Sequence, residues 1–307
     1  MTVLLTGGSG AIGSFVAETL LESGQDVVVF DISNPALEGV TFVDGDVTAD
    51  DALREAATRF DVDVIVHMAA LLPSACRDDP QRAQAVNIGG TVAAFEAGLA
   101  TETRILYTST KAVFGEISGR HAHPTYDPIG ADAPKNPKNN YSVTKLACEG
   151  FAQFYRERGL ECAGLRFSST YGPGKGDAHG SLAYLPELIR RAAAGERIRI
   201  TGADQRNDFI YYGDIARGVA AAIDCETLTY PMYQFGSGTT TSLHEIANIL
   251  TETTDCDLQV TGGLNFRGDD RPSYCQLDIS RAQSDLGYEP AYPVDVAIPD
   301  FLERLAE

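Results

Sequence analysis

The chain has 307 residues, a formal net charge of −19 and an apolar content of 44%. This length allows one large α/β domain, or one domain with a smaller appendage. The strong negative charge repels nucleic acid and anionic membranes, which excludes partners of these two classes. No apolar run approaches the roughly 18 residues that a membrane span requires.

The cysteines and the lysines indicate the cellular environment of the protein. Six cysteines are scattered without a C-x-x-C pair, which argues against a zinc site or a disulfide framework and predicts a reducing cytoplasm. The N-terminal stretch MTVLLTGGSG has no basic segment, so we expect no signal peptide. Only 5 of the 24 basic residues are lysines. Such an acidic, lysine-poor surface suits a salt-rich cytoplasm or a merely acidic mesophilic protein, and the sequence leaves both open.

The first half alternates short β-branched runs with helical patterns. The patterns predict strands over 2–6, 26–31, 40–47, 62–69, 104–110 and 162–168, and helices over 11–24, 49–60, roughly 80–100 and from Tyr141 onwards. Strands that alternate with helices form a parallel, doubly wound sheet with right-handed crossovers. We therefore predict an α/β fold.

The second half has a looser pattern. Residues 115–140 are rich in Pro, Gly and Asp and are predicted to form an active-site loop. Further on, a loop is expected over 171–181, a helix over 182–194, two short strands and a helix within 197–216, and a helix over 242–254. Residues 171–307 are predicted to form mainly a smaller substrate-facing lobe, with some segments returning to the sheet.

A glycine-rich turn, TGGSGAIGS, places Gly7, Gly10 and Gly13 between the first strand and the first helix. Glycine lets the backbone approach a pyrophosphate, and the helix N-terminus supplies amide donors. Asp31 ends the next strand, where a carboxylate accepts hydrogen bonds from an adenosine ribose. No Arg or Lys lies in 27–37 to neutralise a 2′-phosphate, which favours NAD over NADP. The alternative interpretation is a tight structural turn.

Tyr141 and Lys145 stand four residues apart at a predicted helix start, in NNYSVTK. Residues i and i+4 share one helix face, so the ammonium can lie near the phenol. A free tyrosine has a pKa near 10, and a nearby positive charge lowers it toward the range of a base. Taken alone, the pair is also compatible with an ordinary exposed helix pair.

Further motifs follow the glycine turn in order: DGDV at 44–47, VHMAA at 66–70, AVNIGGT at 85–91, TSTKAVFG at 108–115, YSVTK at 141–145 and LRFSSTYGPG at 165–174. NDFIYYGDIA, FGSGTTTSLHEIA and DISRAQSDLGYEP complete the series. Together they resemble the extended short-chain dehydrogenase/reductase family, of the NAD-dependent sugar epimerase and dehydratase type. The resemblance implies a Rossmann domain over 1–170 that binds NAD, followed by the substrate lobe over 171–307.

The resemblance also implies roles for individual residues. Tyr141 would be the catalytic acid/base, Lys145 would lower its pKa and bind the nicotinamide ribose, and Thr110 would orient the substrate oxygen, with Ser109 as the fallback. The cofactor residues would be Gly7, Gly10, Ala11, Ile12, Gly13, Asp31, Asp46, Val47, Met68, Ala69, Ala70, Asn87, Tyr141, Lys145 and Ser168. The substrate residues would be Ser109, Thr110, Ser169 and Asn207.

Two departures from the family pattern bear on the reaction. Family dehydratases carry an acidic pair where this chain has Lys111 and Ala112, so dehydration is not expected. In sugar-nucleotide epimerases Ser169 is usually Asn, and the arginines that grip the diphosphate align with Asn207 and Phe266. Arg267 stands one place late, and Arg206 stands one place before Asn207 on a strand, where neighbours point to opposite faces.

Three functions therefore stay open. The first is a nucleotide-sugar 4-epimerase of the UDP-hexose type, and the second is an NAD-dependent dehydrogenase of an unactivated sugar or sugar acid. The third is a non-enzymatic NAD-binding sensor, against which the intact Tyr141 and Lys145 pair argues. No metal is expected, since His121, His123 and His179 lack ligand spacing and His67 lies inside an apolar strand. The family further implies a homodimer through helices near 85–100 and 141–158.

Overall fold

A seven-stranded parallel sheet forms the centre of the molecule. The computed structural model describes residues 1–35, 37–174, 184–268, 270 and 272–306. The sheet strands are Thr2–Thr6 (β1), Asp26–Asp31 (β2), Thr41–Asp44 (β3), Val64–His67 (β4), Arg104–Thr110 (β5), Cys162–Phe167 (β6) and Met232–Phe235 (β11). Their order across the sheet is β3-β2-β1-β4-β5-β6-β11, and every neighbouring pair is parallel. The doubly wound α/β prediction is confirmed.

Helices cover both faces of this sheet, which explains why its strands are almost continuously apolar. The helices of the first half are Ala11–Glu22 (α1), Ala52–Arg59 (α2), Pro73–Asp78 (α3), Pro80–Ala83 (α4), Gly90–Thr101 (α5) and Asn140–Glu157 (α6). A π-helical turn, Gln84–Gly89, joins α4 to α5, and a 3₁₀ turn, Lys111–Phe114, follows β5. The alternation along β1 places Leu5 in the core on one face and Leu4 in the core on the other.

Two local signals place the ends of functionally important helices. Gly24 has φ +77°, a left-handed conformation that glycine adopts without strain, and it follows the end of α1. At the start of α6, the Asn139 side chain accepts from the Ser142 amide at 2.8 Å, and the Ser142 hydroxyl accepts from the Asn139 amide at 3.2 Å. This capping box fixes the first turn of α6, which carries Tyr141.

The second half contains more short strands than the sequence predicted. They are Ser169–Tyr171 (β7), Arg197–Ile200 (β8), Arg206–Asn207 (β9), Phe209–Tyr211 (β10), Thr241–Ser242 (β12) and Asp257–Val260 (β13), paired as β7 with β10, β9 with β12 and β8 with β13. The helices are Tyr184–Ala193 (α7), Tyr212–Asp224 (α8), Leu243–Thr253 (α9), Ser280–Leu286 (α10) and Val294–Ala306 (α11). Two-residue strands have too few alternating positions to be recognised in a sequence.

The expected return of late segments to the main sheet takes place at β11, which pairs with β6. The division of the chain at residue 170 stays a prediction. Most of the predicted loop over 171–181, with His179, and the first two residues of the predicted helix over 182–194 lie outside the described residues. No helix in the described part of the chain is long and apolar enough to cross a membrane.

Strand order reverses at β1, which pairs with β2 on one side and β4 on the other. The connection after β1, through α1, packs on one face of the sheet, and the connection after β4, through α5, packs on the other. A crevice therefore opens between the carboxyl ends of β1 and β4. Ligands of open α/β sheets bind at this switch point. The glycine turn after β1 and the segments after β4 and β5 all lie at this edge.

Candidate active site

One cavity of about 640 Å³ lies at the carboxyl edge of the sheet. Most of the residues predicted to contact cofactor or substrate line it, namely Gly7, Gly10, Ala11, Ile12, Gly13, Asp31, Asp46, Val47, Met68, Ala69, Ala70, Ser109, Thr110, Tyr141, Lys145, Ser168 and Ser169. Two predicted residues, Asn87 and Asn207, are instead buried behind its wall. The cavity therefore joins the predicted nucleotide end to the predicted reacting groups.

The nucleotide end is made by the glycine turn and the start of α1. A Cβ at Gly7 would lie 2.7 Å from the Ala69 amide nitrogen, and one at Gly13 would lie 2.1 Å from the Gly7 carbonyl oxygen. Helix α1 begins without a side-chain cap and has no acidic residue in its first turn. Its first amides therefore present an uncapped, positive helix end to the cavity, which fits a pyrophosphate.

Asp31 lies at the end of β2 and is held by two backbone amides. Its carboxylate accepts from the Ser9 amide at 3.1 Å and from the Ser33 amide at 3.2 Å. These bonds orient the side chain at the cavity wall, where a ribose diol of NAD would be bound. The donor set of α1 and the acceptor at Asp31 both fit this cofactor.

Asp46 and Arg82 form the far wall of the nucleotide end. Arg82 lies 3.8 Å from the Asp46 carboxylate, and both side chains line the cavity. The backbone hydrogen bond from Thr48 holds the pKa of Asp46 below its usual value. Arg82 was not predicted, because nothing in its own sequence context distinguishes it from a surface arginine at a helix end.

The VHMAA segment passes beneath the cavity and is held by Thr6. The Thr6 hydroxyl oxygen accepts from the amides of Met68 and Ala69, each at 3.2 Å, and is 2.9 Å from Nδ1 of His67. Removal from water lowers the pKa of His67 to about 3, so its ring is neutral at ordinary pH. The expectation that His67 is structural agrees with this arrangement.

Tyr141 and Lys145 both line the cavity from α6, where burial shifts the pKa of each side chain. The Lys145 ammonium donates to the Thr108 carbonyl at 3.0 Å and to the Thr108 hydroxyl at 3.2 Å. Burial raises the pKa of the Tyr141 phenol, and burial lowers the pKa of Lys145. Burial therefore sets the direction of the shift in the Tyr141 pKa in the protein alone, and the expected lowering of this pKa by Lys145 stays a prediction.

The two candidate hydroxyls at the end of β5 are directed differently. The Ser109 hydroxyl donates to Glu149 at 2.6 Å, and Glu149 forms a buried ion pair with Arg166 at 2.8 Å. The Thr110 oxygen accepts from the Ala112 amide at 3.2 Å, which leaves its hydroxyl proton for another acceptor. The geometry thus favours Thr110 over the fallback, Ser109, as the group that meets a substrate oxygen.

Asn87 does not line the cavity, and its expected cofactor role stays a prediction. Its side chain accepts from the Leu71 amide at 2.7 Å and donates to the Leu71 carbonyl at 3.1 Å and to the Thr144 hydroxyl at 3.0 Å. The π-helical turn places it inside, where it is fully buried. Asn87 therefore positions the cavity-lining Leu71 and ties it to α6.

Asn207 also lies behind the wall of the cavity, and its expected contact with substrate stays a prediction. Its amide oxygen accepts from the Lys111 ammonium at 2.7 Å, and its amide nitrogen donates to the Ser169 hydroxyl at 2.8 Å. Lys111 and Ser169 themselves line the cavity. A short side chain on β9 cannot pass these two neighbours, so Asn207 would act through them.

Arg267, which stands one residue after the position expected for a diphosphate arginine, does line the cavity. Arg267 stands at the wall beside Phe266, and its guanidinium lies 4.8 Å from the centre of the Tyr274 ring. Arg206 instead pairs with Glu245 at 2.8 Å and is absent from the cavity wall. The argument that the pocket lacks a diphosphate arginine therefore holds at Asn207 but not at the 266–267 segment.

The comparisons with known proteins identify the family. The model of the NAD dependent epimerase/dehydratase family matches residues 3–233. The chain belongs to this family. Its predicted resemblance is thereby confirmed, and NAD is its cofactor.

Individual relatives are similar over nearly their whole lengths. A UDP-glucose 4-epimerase of Halalkalibacterium halodurans is 30% identical, with 95% of this chain and 92% of the relative covered. The UDP-glucose 4-epimerase of Mycolicibacterium smegmatis is 29% identical, with 100% and 98% covered. The crystal structure of UDP-glucose 4-epimerase from Brucella ovis in complex with NAD is 26% identical, covers 98% of each chain and superimposes with a TM-score of 0.82.

Proposed function

We propose that the protein is an NAD-dependent 4-epimerase of a nucleotide sugar of the UDP-hexose type. The observation that carries the proposal is the single cavity that joins an uncapped helix end and Asp31 to Thr110, Tyr141 and Lys145. Relatives of the same length named UDP-glucose 4-epimerase support the choice of substrate class.

Three side chains would carry the proton chemistry. NAD would supply the hydride acceptor, which returns the hydride to the other face of the ketone. Tyr141 would remove the proton of the substrate hydroxyl and give it back in the second half of the reaction. Thr110 would donate a hydrogen bond to the same oxygen, and the Lys145 ammonium would bias the phenol toward its ionised form.

The raised pKa of Tyr141 in the protein alone has a consequence for this chemistry. A buried phenol cannot act as a base unless positive charge is brought to it. Lys145 is the cation closest in sequence, and its present bonds to Thr108 keep it at the floor of the cavity. We infer that ligand binding redirects Lys145 toward the ribose and the phenol.

The test measures the conversion of UDP-glucose to UDP-galactose by the purified protein with NAD⁺. Absorbance of NADH is recorded in the same reaction. Tyr141→Phe should lower turnover by about 10²- to 10⁴-fold, the usual contribution of a general acid/base, while NAD binding stays nearly unchanged. Tyr155→Phe is the matched control, because Tyr155 lies on the same helix and bonds Glu96 outside the cavity. An active Tyr141→Phe enzyme would contradict the proposal.

The dehydrogenase of an unactivated sugar or sugar acid remains the second candidate. The observation that favours it is Asn207, which offers no charge to a diphosphate at the position where the relatives' pattern has arginine. The same assay, with free sugars added to the set of substrates, separates the two functions. Net NADH with a free sugar and no conversion of UDP-sugars would establish the dehydrogenase.

We further propose a homodimer through α6. Val143, Phe151 and Phe154 are 49%, 41% and 53% exposed, and their spacing places them on adjoining parts of one helix surface. Exposed apolar side chains that cluster in this way mark interaction surfaces. Light scattering of the purified protein should give twice the 32.9 kDa mass of the chain, and a mass of one chain would exclude the dimer.

We also propose a cytoplasmic location, and activity that persists in high salt. All six cysteines are unpaired, which fits a reducing compartment. A net charge of −19 repels itself less when salt screens it. Comparing turnover at low and high salt checks the second point, since loss of turnover in high salt would oppose it.

A further inference from the structure

The cavity continues past Asp31 along the ends of β2 and β3. Asp31 and Asp44, the last residues of these two strands, are paired in the sheet. The Gly45 amide donates to the Asp31 carbonyl at 3.1 Å, so the cavity-lining segment 45–47 lies directly beside Asp31. A base attached to a ribose that Asp31 holds therefore meets this segment.

Two valines give this part of the cavity an apolar floor, of the kind on which a planar ligand packs. Val47 and Val86 both line the cavity and are 6% and 8% exposed. A Cβ added at Gly90 would lie 2.6 Å from the Val47 side chain, so Val47 is packed tightly against α5. We call these two residues the valine floor.

Arg82 stands one helical turn before Val86, and both side chains line the cavity. Helix α4 runs directly into the π-helical turn, so residues 82 and 86 lie on neighbouring parts of one surface. The start of α4 is fixed, because the Asp79 carboxylate accepts from the Arg82 amide at 2.9 Å. The Arg82 side chain is 56% exposed, so a ligand in the cavity can contact it.

The Asp46 carboxylate limits where the Arg82 guanidinium lies. One carboxylate oxygen accepts from the Thr48 amide at 2.9 Å and from the Thr48 hydroxyl at 2.8 Å, which fixes the group at the cavity wall. The other oxygen lies 3.8 Å from the guanidinium, beyond hydrogen-bond distance. Asp46 thus draws the cation toward the segment 45–47 without a bond that fixes the plane of the guanidinium.

We propose that the Arg82 guanidinium stacks on the adenine base of NAD and holds the base against the valine floor. A guanidinium is planar and weakly hydrated, and it stacks on aromatic faces, including those of nucleic-acid bases. The base then lies between an apolar surface and a cationic one, while Asp31 holds its ribose. This contact involves the cofactor alone and is the same for an epimerase and for a dehydrogenase.

The experiment measures NAD⁺ binding by the purified protein in the absence of any sugar. Calorimetry gives the affinity, and exchange of bound NAD⁺ against excess ADP-ribose gives the dissociation rate. Arg82→Met should lower the affinity by about 3- to 30-fold, the range expected of a cation over an aromatic ring. Most of this loss should lie in the dissociation rate, because changes within one contact surface alter association less. An affinity equal to that of the wild type would overturn the proposal.

Two further variants separate stacking from an ion pair with a phosphate of the cofactor. Arg82→Tyr keeps a flat face and loses the charge, whereas Arg82→Lys keeps the charge and loses the plane. Stacking predicts that Arg82→Tyr retains more of the NAD⁺ affinity than Arg82→Lys does. The reverse order would overturn the proposal in favour of a phosphate contact.

Arg77→Met is the matched control for Arg82→Met. Arg77 lies on the preceding helix, α3, is 77% exposed, pairs with Asp78 at 3.2 Å and is absent from the cavity wall. Its substitution removes the same charge and should leave NAD⁺ affinity unchanged. An equal loss of affinity in both variants would overturn the proposal, since net charge rather than a contact with the base would then explain it.

Discussion

The two ends of the cavity are built in different ways. The nucleotide end comes mainly from the stretch between the glycine turn and Asp46, with Arg82 added from a later helix, and it relies largely on backbone amides and close backbone approach. The reacting end uses side chains from β5, α6, β7 and the 266–267 segment, which are far apart in the chain. The first is a property of local backbone, and the second is a property of how distant segments pack.

This difference decides what holds each end in place. Close backbone packing and the hydrogen bond from the Ser9 amide to Asp31 hold the glycine turn in place. The reacting end is supported from behind by buried polar groups, including the pair of Glu149 with Arg166 and the contact of Lys111 with Asn207. Changes behind the wall should therefore damage the reacting end while sparing the nucleotide end.

Glu149→Gln tests this difference with the largest expected effect. Arg166 is 1% exposed, and removal of the only negative charge of its ion pair would leave it buried and uncompensated. The free energy of unfolding should fall by about 3–5 kcal/mol. Ser109 would lose a charged acceptor at the end of β5, so turnover should fall more than NAD affinity. Urea unfolding and NAD titration at low temperature measure both.

The control for this change is Glu157→Gln, on the same helix. Glu157 is exposed, and among the residues that the structure describes it accepts from Gln153, at 3.1 Å, and from no other side chain. Its substitution should change the free energy of unfolding by no more than about 0.5 kcal/mol. If Glu149→Gln were equally mild, the buried pair would not support the reacting end.

The same difference explains how far the sequence could predict the site. The glycine turn, Asp31 and the start of α6 follow from spacing within one or two elements, so local patterns suffice. The parallel sheet follows from the alternation of elements. These predictions depend on covalent neighbours and need no knowledge of tertiary packing.

The features that the sequence could not predict lie where two segments meet. A π-helical turn places the Asn87 side chain against Leu71 and Thr144. The Lys145 ammonium bonds Thr108 on β5, a contact that the spacing of Tyr141 and Lys145 does not indicate. Arg267 was judged one residue out of register, yet an irregular loop carries it to the cavity wall. Motif spacing cannot fix loop register or helix irregularity.

Gly13→Ala should break the nucleotide end in preference to the reacting end. The added Cβ would lie 2.1 Å from the Gly7 carbonyl oxygen, so backbone has to move. Overpacking of this kind costs about 1–3 kcal/mol. NAD affinity should fall by roughly tenfold or more, since about 1.4 kcal/mol corresponds to a factor of ten. Thermal unfolding and NAD titration measure the two effects.

Gly150→Ala is the control, because Gly150 lies in a helix with open space around it, whereas Gly13 is crowded by backbone. Gly150 lies exposed on α6, and an added Cβ would have no atom within 4 Å. Alanine should stabilise the protein by roughly 0.5–1 kcal/mol, because glycine loses more backbone entropy on folding. A gain in stability on Gly13→Ala would mean that the close approach in the glycine turn is not what selects glycine there.

His67 lies between the two ends, since it contacts Thr6 under the glycine turn and feels the charge of Lys145. Its pKa is about 3 in the folded protein, against 6.5 for an unperturbed histidine. Above pH 6.5 both folded and unfolded forms are neutral, and no stability depends on this ring. As the pH falls below 6.5, only the unfolded chain takes the proton, so the folded state loses stability until the pH reaches about 3.

His67→Asn removes this dependence while keeping a polar atom at the position of Nδ1. The variant should be less stable than the wild type at pH 7, because the smaller side chain leaves a void. The difference should shrink as the pH is lowered from 6.5, by up to about 1.4 kcal/mol per pH unit. Urea unfolding of both proteins at pH 7, 6 and 5 gives the difference directly, and the carboxylates common to both proteins contribute equally. Parallel stability curves would show that His67 is protonated in the folded protein. The surroundings of His67 and Thr6 would then be more hydrated than the hydrogen bonds to Thr6 indicate.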